Sequence, residues 1–131
     1  FKPGDLLLPL GTADGEAAFG GLHLAWSWTP EPALAREEGM ECFDADRLGP
    51  WVRLRHWQPG DRFRPIGLGG SAKLQDLFTN AGVPAAERRR RVVAETADGE
   101  IFWVEGLRIG ECAQLRPSTR HAILWKTRRR P

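Results

Sequence analysis

Apolar and polar positions alternate along three stretches of the chain, and each predicts a strand. Leu22, Leu24, Trp26 and Trp28 alternate with His23, Ala25 and Ser27, a half-buried strand that Pro30 and Pro32 bring to an end. Trp51 to Trp57 alternates again, with Val52 and Leu54 on one face and Trp51, Arg53, Arg55 and Trp57 on the other. Val92–Glu95 and Ile101–Val104, joined by Thr96-Ala97-Asp98-Gly99, predict a β-hairpin, and Ala122–Trp125 a last short strand. Gly106–Gly110 reads as a strand or bend. The helical spacing of Leu74, Leu77 and Phe78 predicts a helix beginning near Ala72, capped by Ser71 and ended by Gly82. Pro84 opens a second short helix, and Ala33–Glu38 predicts a helical turn. Lys126 to Pro131 is expected to be a frayed basic tail. These elements predict an α+β fold, short strands and hairpins packed with two or three short helices.

Composition adds size and solubility class. A domain of 131 residues buries roughly two-thirds of its unfolded surface, so it needs neither disulfide nor metal to fold. No apolar run approaches the ~20 residues of a membrane span, which argues against a membrane partner, and the N-terminus carries no signal-peptide pattern. The start Phe1-Lys2-Pro3, without Met, predicts a piece of a longer protein. Cys42 and Cys112 form no C-x-x-C motif, which fits a reduced, cytoplasmic protein and leaves one disulfide open.

Charge changes the picture most. Residues 1–50 carry 3 basic and 9 acidic side chains, net −6; residues 51–131 carry 16 basic and 8 acidic, net +8. Of the 19 basic residues 16 are arginine, whose planar fork of donors suits phosphate. We therefore divide the chain into an acidic, β-rich lead-in over 1–50 and a basic domain over 51–131, expected to form one unit. A polyanion is the partner expected of the basic part, against the alternative of a merely solvated surface.

The candidate chemistry concentrates between Arg53 and Asn80. Arg53 and Arg55 share a strand face, Gln58-Pro59-Gly60-Asp61 is a turn, and Arg62 and Arg64 flank Phe63. Gly67, Gly69, Gly70 and Ser71 then form a glycine-rich loop before a helix, where open N–H groups could take a phosphate; a close-packed loop that needs glycine for shape is the equal alternative. The loop fits G-x-G-x-x-A, but a basic, proline-bearing turn precedes it instead of a buried strand, which excludes a dinucleotide site. The order of Lys and Ser excludes a Walker A loop. Asp44 and Asp46 read as turn and capping residues, and His23, His56 and His121 have no ligand spacing, so no metal site is expected. His56 or Asp61 could serve a hydrolase as base, yet nothing supplies a nucleophile and an oxyanion site. The six tryptophans admit an interaction or dimerisation domain, although their alternation favours a core role.

One ordered series of residues resembles a known family. Arg55, then Gly60-Asp61-Arg62-Phe63, Pro65, Gly67, Gly70, Lys73-Leu74, Asp76 and Phe78 are followed by Val83-Pro84 and an arginine cluster from Arg88. Asp98-Gly99-Glu100-Ile101, Trp103-Val104, Gly106 and Arg108-Ile109 complete the series, which resembles the C-terminal domain of bacterial tRNA(Ile)-lysidine synthetases. That family joins lysine to the wobble cytidine of tRNA(Ile) with a CAU anticodon, which changes both codon and amino-acid identity. The resemblance implies a tRNA-binding appendage that grips the acceptor end of that tRNA. Its fold would be the mixed one shared with the phenylalanyl-tRNA synthetase β subunit. It implies no catalytic residues and no cofactor in this chain. ATP and magnesium would belong to the N-terminal catalytic domain, a partner whose Ser-Gly-Gly-x-Asp-Ser loop is absent here. The residues expected to hold tRNA are Arg53, Arg55, Arg62, Arg64, Lys73, Arg88, Arg89 and Arg108, with Gly67, Gly69, Gly70 and Ser71 at a phosphate. An interaction or dimerisation domain of the same enzyme, including a homodimer, is the alternative. The family pattern has a lysine where this chain has Ala72, a lysine at Gly82 and an arginine at Ala85; the run Arg88–Arg91 is expected to compensate.

Overall fold

The computed structural model describes residues 4–10, 14–29, 39–107 and 109–129. Its elements run in the order β1 (Leu6–Pro9), β2 (Gly15–Phe19), β3 (Leu22–Thr29), β4 (Met40–Asp44), β5 (Trp51–His56), β6 (Arg62–Phe63), β7 (Ala72–Lys73), α1 (Leu74–Asn80), α2 (Ala85–Arg88), β8 (Val92–Glu95), β9 (Ile101–Val104) and β10 (Ala122–Arg129). Single 3₁₀ turns follow β4 and precede β10. The strands form two antiparallel four-stranded sheets, β1-β5-β8-β9 and β2-β3-β10-β4, and a small ribbon, β6-β7.

The alternation read from sequence decides which faces meet. Leu22, Leu24 and Trp26 of β3 share one core with Val52 and Leu54 of β5, Val92 and Ala94 of β8, and Ile123 and Trp125 of β10. Phe43, Phe102 and Trp125 meet edge to face at its centre, with ring centroids 5.1–5.7 Å apart. Each sheet takes strands from both sides of residue 50: β1 pairs with β5, and β4 with β10. The acidic lead-in is therefore woven into the same sheets as the basic part.

A second, smaller core lies on the other face of the first sheet. Phe63, Leu74, Phe78 and Val83 pack there against Val93, Ile101 and Val104, and Trp57 meets Phe78 edge-on at 6.1 Å. The ribbon and α1 are thus fastened to the outer face of β5, β8 and β9.

Two expectations change. The helix does not begin near Ala72 and Ser71 does not cap it: Lys73 pairs with Arg62 in the ribbon, and α1 starts at Leu74 with Lys73 as an N-cap lacking any side-chain bond. The Leu74 N–H donates instead to the Asp61 carbonyl at 2.9 Å, so backbone does what the serine was expected to do. The stretch 126–129 does not fray. It continues β10 with β3 alongside to the end, because Lys126 and Arg128 alternate outward while Arg129 finds an internal partner. The helix termination at Gly82, the short helix after Pro84 and the β8–β9 hairpin stand as expected. The turn over 33–38 and Arg108 lie outside the described residues.

Candidate nucleic-acid interface

The strand face with Arg53 and Arg55 carries a charge network rather than free cations. Glu95, cross-strand from Arg53, accepts from Arg53 Nε (2.9 Å) and Nη2 (2.5 Å) and from Arg55 Nε (2.8 Å). The other end of Arg55 forks onto Asp61 at 2.9 and 3.0 Å and onto the His56 carbonyl at 3.0 Å. Asp61 also accepts from the Gln58 N–H at 2.8 Å, closing the turn before the ribbon. Burial pulls against the Arg55 charge, but hydrogen bonds to Asp61 and Glu95 and their charges outweigh it and raise its pKa above the ordinary arginine value. Arg55 and Asp61 thus pin the Gln58–Asp61 turn, and with it the start of α1, to the sheet.

Arg62 and Arg64 leave this network for solvent. Arg62 Nη2 donates weakly to the Ser71 carbonyl (3.4 Å) and hydroxyl (3.3 Å), across the loop that joins β6 to β7. The loop is a fixed object. Ile66 N–H donates to Ile109, Glu111 N–H donates to Arg64, and Leu68 N–H closes a turn on Pro65. Gly67 occupies the third position of that turn at φ +88°, which a type II turn requires. The glycines therefore shape a hairpin loop, and the loop does not sit at a helix N-terminus. Between it and the segment 111–116 lies an open cleft of about 420 Å³, lined by Arg62, Arg64, Ser71, Glu100, Glu111 and Arg116. Arg116 is a cation that the sequence pattern does not single out; only the fold brings it beside Arg62 and Arg64.

The run Arg88–Arg91 divides. Arg88 Nε donates to the Val83 carbonyl at 3.0 Å, bracing the Val-Pro turn. Arg89 and Arg90 are exposed. Arg91 turns toward Glu87 and the Glu105 carbonyl. Glu105 in turn receives Arg129 at both oxygens (2.5 and 2.6 Å) and the Val92 N–H at 3.1 Å. Burial works to raise the Glu105 pKa, but the bonds from Arg129 and Val92 and the charges of Arg129 and Arg91 outweigh it and bring it below the ordinary glutamate value.

Among the described residues, then, Arg53, Arg55, Arg91 and Arg129 are neutralised inside the fold. Arg62, Lys73, Arg88, Arg89 and Arg90 have no carboxylate partner, and Arg64 has one only at 3.9 Å. Asp61 is held by Arg55, and His56 stacks on Phe19 at 5.0 Å. Asp44 caps the 3₁₀ turn through Asp46 N–H and accepts from Thr119, as its turn role predicts. Both cysteines are free; burial and the Glu100 carboxylate push the Cys112 thiol up to about 12. Among the described residues no helix is long and apolar enough to cross a membrane.

Comparison with known proteins bears on the fold and the family. A family model described as the TilS substrate C-terminal domain matches residues 52–125. A tRNA(Ile)-lysidine synthase of Clostridium acetobutylicum is 32% identical over 96 residues, which is 73% of this chain and 21% of that protein. One from Geobacillus kaustophilus is 40% identical over 74 residues, 56% of this chain and 16% of that protein. The chain spans about a fifth of the length of the curated relatives it matches. A crystal structure of a TilS C-terminal domain is similar with a TM-score of 0.75 and 25% identity, over 95% of this chain and 97% of that one. An N-terminal fragment of the phenylalanyl-tRNA synthetase β-subunit of Pyrococcus horikoshii shares the fold, with a TM-score of 0.55 and 14% identity over 67% of this chain and 27% of that one.

Proposed function

The chain belongs to the TilS substrate C-terminal domain family, and on that premise we propose that it is the tRNA-holding part of a tRNA(Ile)-lysidine synthase. It grips the phosphates of tRNA(Ile) with a CAU anticodon, at the acceptor end, while the catalytic part of the enzyme joins lysine to the wobble cytidine. The observation that supports this best is the sorting of cations. Those on the inner faces are consumed by Glu95, Asp61 and Glu105, whereas Arg62, Lys73, Arg88 and Arg89 keep their charge for an external anion. Phosphate contacts of this kind supply affinity without reading sequence.

In this reading Arg62, Arg64, Lys73, Arg88 and Arg89 touch the backbone, and the loop with Gly67, Gly69 and Gly70 lets it approach closely. Arg108 joins the contact set through the resemblance. Arg53 and Arg55 act indirectly, by holding the ribbon that presents Arg62 and Lys73. ATP and magnesium, which the family's reaction uses, belong in this reading to the catalytic part of the enzyme. The setting is the bacterial cytoplasm, in keeping with two free thiols.

The test is binding of this chain to tRNA(Ile) with a CAU anticodon and to initiator methionine tRNA at several salt concentrations. Salt-sensitive binding to both supports an electrostatic grip; a preference for tRNA(Ile) adds selection. No binding at low salt rejects the proposal. A second reading rests on Leu7 and Trp51, which stay 42% and 38% exposed on neighbouring strands at the edge of the first sheet. They suit contact with the catalytic part or a second copy, and sedimentation at several concentrations separates a homodimer from a monomer.

A further inference from the structure

The cleft between the ribbon loop and the segment 111–116 is not lined as a backbone track would be. A groove that follows phosphates needs cations only. Here Glu100 and Glu111 line the cleft together with Arg62, Arg64, Arg116 and Ser71, while Phe63 and Ile101 beside them are buried. A carboxylate repels phosphate, so its presence costs affinity for bare backbone and gains it only for a ligand that also brings hydrogen-bond donors. Glu111 is available for this: its nearest cation, Arg64, is 3.9 Å away, and its side chain is 39% exposed. Glu100 is exposed, beside the half-buried Cys112 thiol. At about 420 Å³ the cleft is within the roughly 300–1,000 Å³ of small-ligand sites.

Phosphate and hydroxyl or amino donors coexist in one small unit, the ribonucleotide. In a duplex the Watson–Crick amino groups are engaged in pairing; unpaired, they are presented together with the ribose hydroxyls and the phosphate. Resting on the reading that this domain binds RNA, we propose that the cleft holds one unpaired ribonucleotide of the bound RNA. Arg62, Arg64 and Arg116 face its phosphate, and Glu100 and Glu111 accept from ribose hydroxyl or base amino groups.

The test compares a short RNA duplex with a single-stranded 3′ overhang and the same duplex blunt, by fluorescence anisotropy at one salt concentration. The wild-type chain is expected to favour the overhang by about 10-fold. The double variant Glu100→Ala/Glu111→Ala removes two negative charges, so it should bind the blunt duplex at least as well as wild type while the preference collapses toward 1. Arg116→Ala should weaken overhang binding several-fold more than blunt binding, with circular dichroism showing the fold intact. Equal wild-type binding of both RNAs overturns the cleft proposal and leaves the tRNA-holding function standing. So does a double variant that gains affinity for both RNAs by the same factor, since the carboxylates would then only repel. Binding of neither RNA by the wild type rejects both proposals.

Discussion

At the scale of single residues, a carboxylate decides the work of each arginine. Arg55 is 9% exposed and held at both ends, so its charge stabilises the fold only while Glu95 and Asp61 face it. Removing one partner of a buried pair leaves an uncompensated charge, which costs about 3–5 kcal/mol. Glu95→Ala is therefore expected to lower stability by that amount in urea denaturation. Arg89→Ala, an exposed change, should stay within about 0.5 kcal/mol. Glu105 adds a pH dependence. Its folded pKa lies below the ordinary glutamate value of the unfolded chain, so its contribution is full above that ordinary value and is lost as pH falls through the lowered one. Urea midpoints between pH 7 and 3 should fall more steeply for wild type than for Glu105→Gln. The alternation of Val52, Arg53, Leu54 and Arg55 was legible in sequence, but their partners were not. Glu95 lies 42 positions from Arg53 and 40 from Arg55, a distance that only the β5–β8 register bridges.

At the scale of elements, the ribbon β6–β7 is the piece that presents the free cations, and its anchor is Phe63. The ring is 2% exposed in the smaller core, against Leu74 and Phe78. Phe63→Ala should cost about 3–5 kcal/mol and loosen the ribbon. Gly67→Ala should cost about 1 kcal/mol or more through its positive φ. Differential scanning calorimetry checks both. The hairpin β8–β9 was readable because its turn residues and two apolar runs are local. The ribbon was not, because two residues per strand leave no period, and the helical stripe of Leu74, Leu77 and Phe78 drew the expected helix start back over Ala72. The full length of β10 was hidden for a different reason: its second half reads as a charged tail until β3 is placed beside it.

At the scale of the molecule, the net charge of +2 conceals a division of labour. Acidic residues of the basic part itself, Asp61, Glu95 and Glu105, are spent on inner arginines, so the outer ones remain uncompensated. Sequence asymmetry alone indicated a polyanion partner; it could not say which cations were free, nor that segments 62–71 and 111–116 meet around a cleft. The most direct measurement is the slope of log binding constant against log salt for tRNA, in wild type and in Arg62→Ala/Lys73→Ala/Arg89→Ala. Each lost phosphate contact should flatten the slope by roughly 0.9, so the triple variant should lose close to three charges' worth together with much of its affinity. A triple variant with the wild-type slope and affinity would contradict the account, because the cations left free by the fold would then not be the ones that hold tRNA.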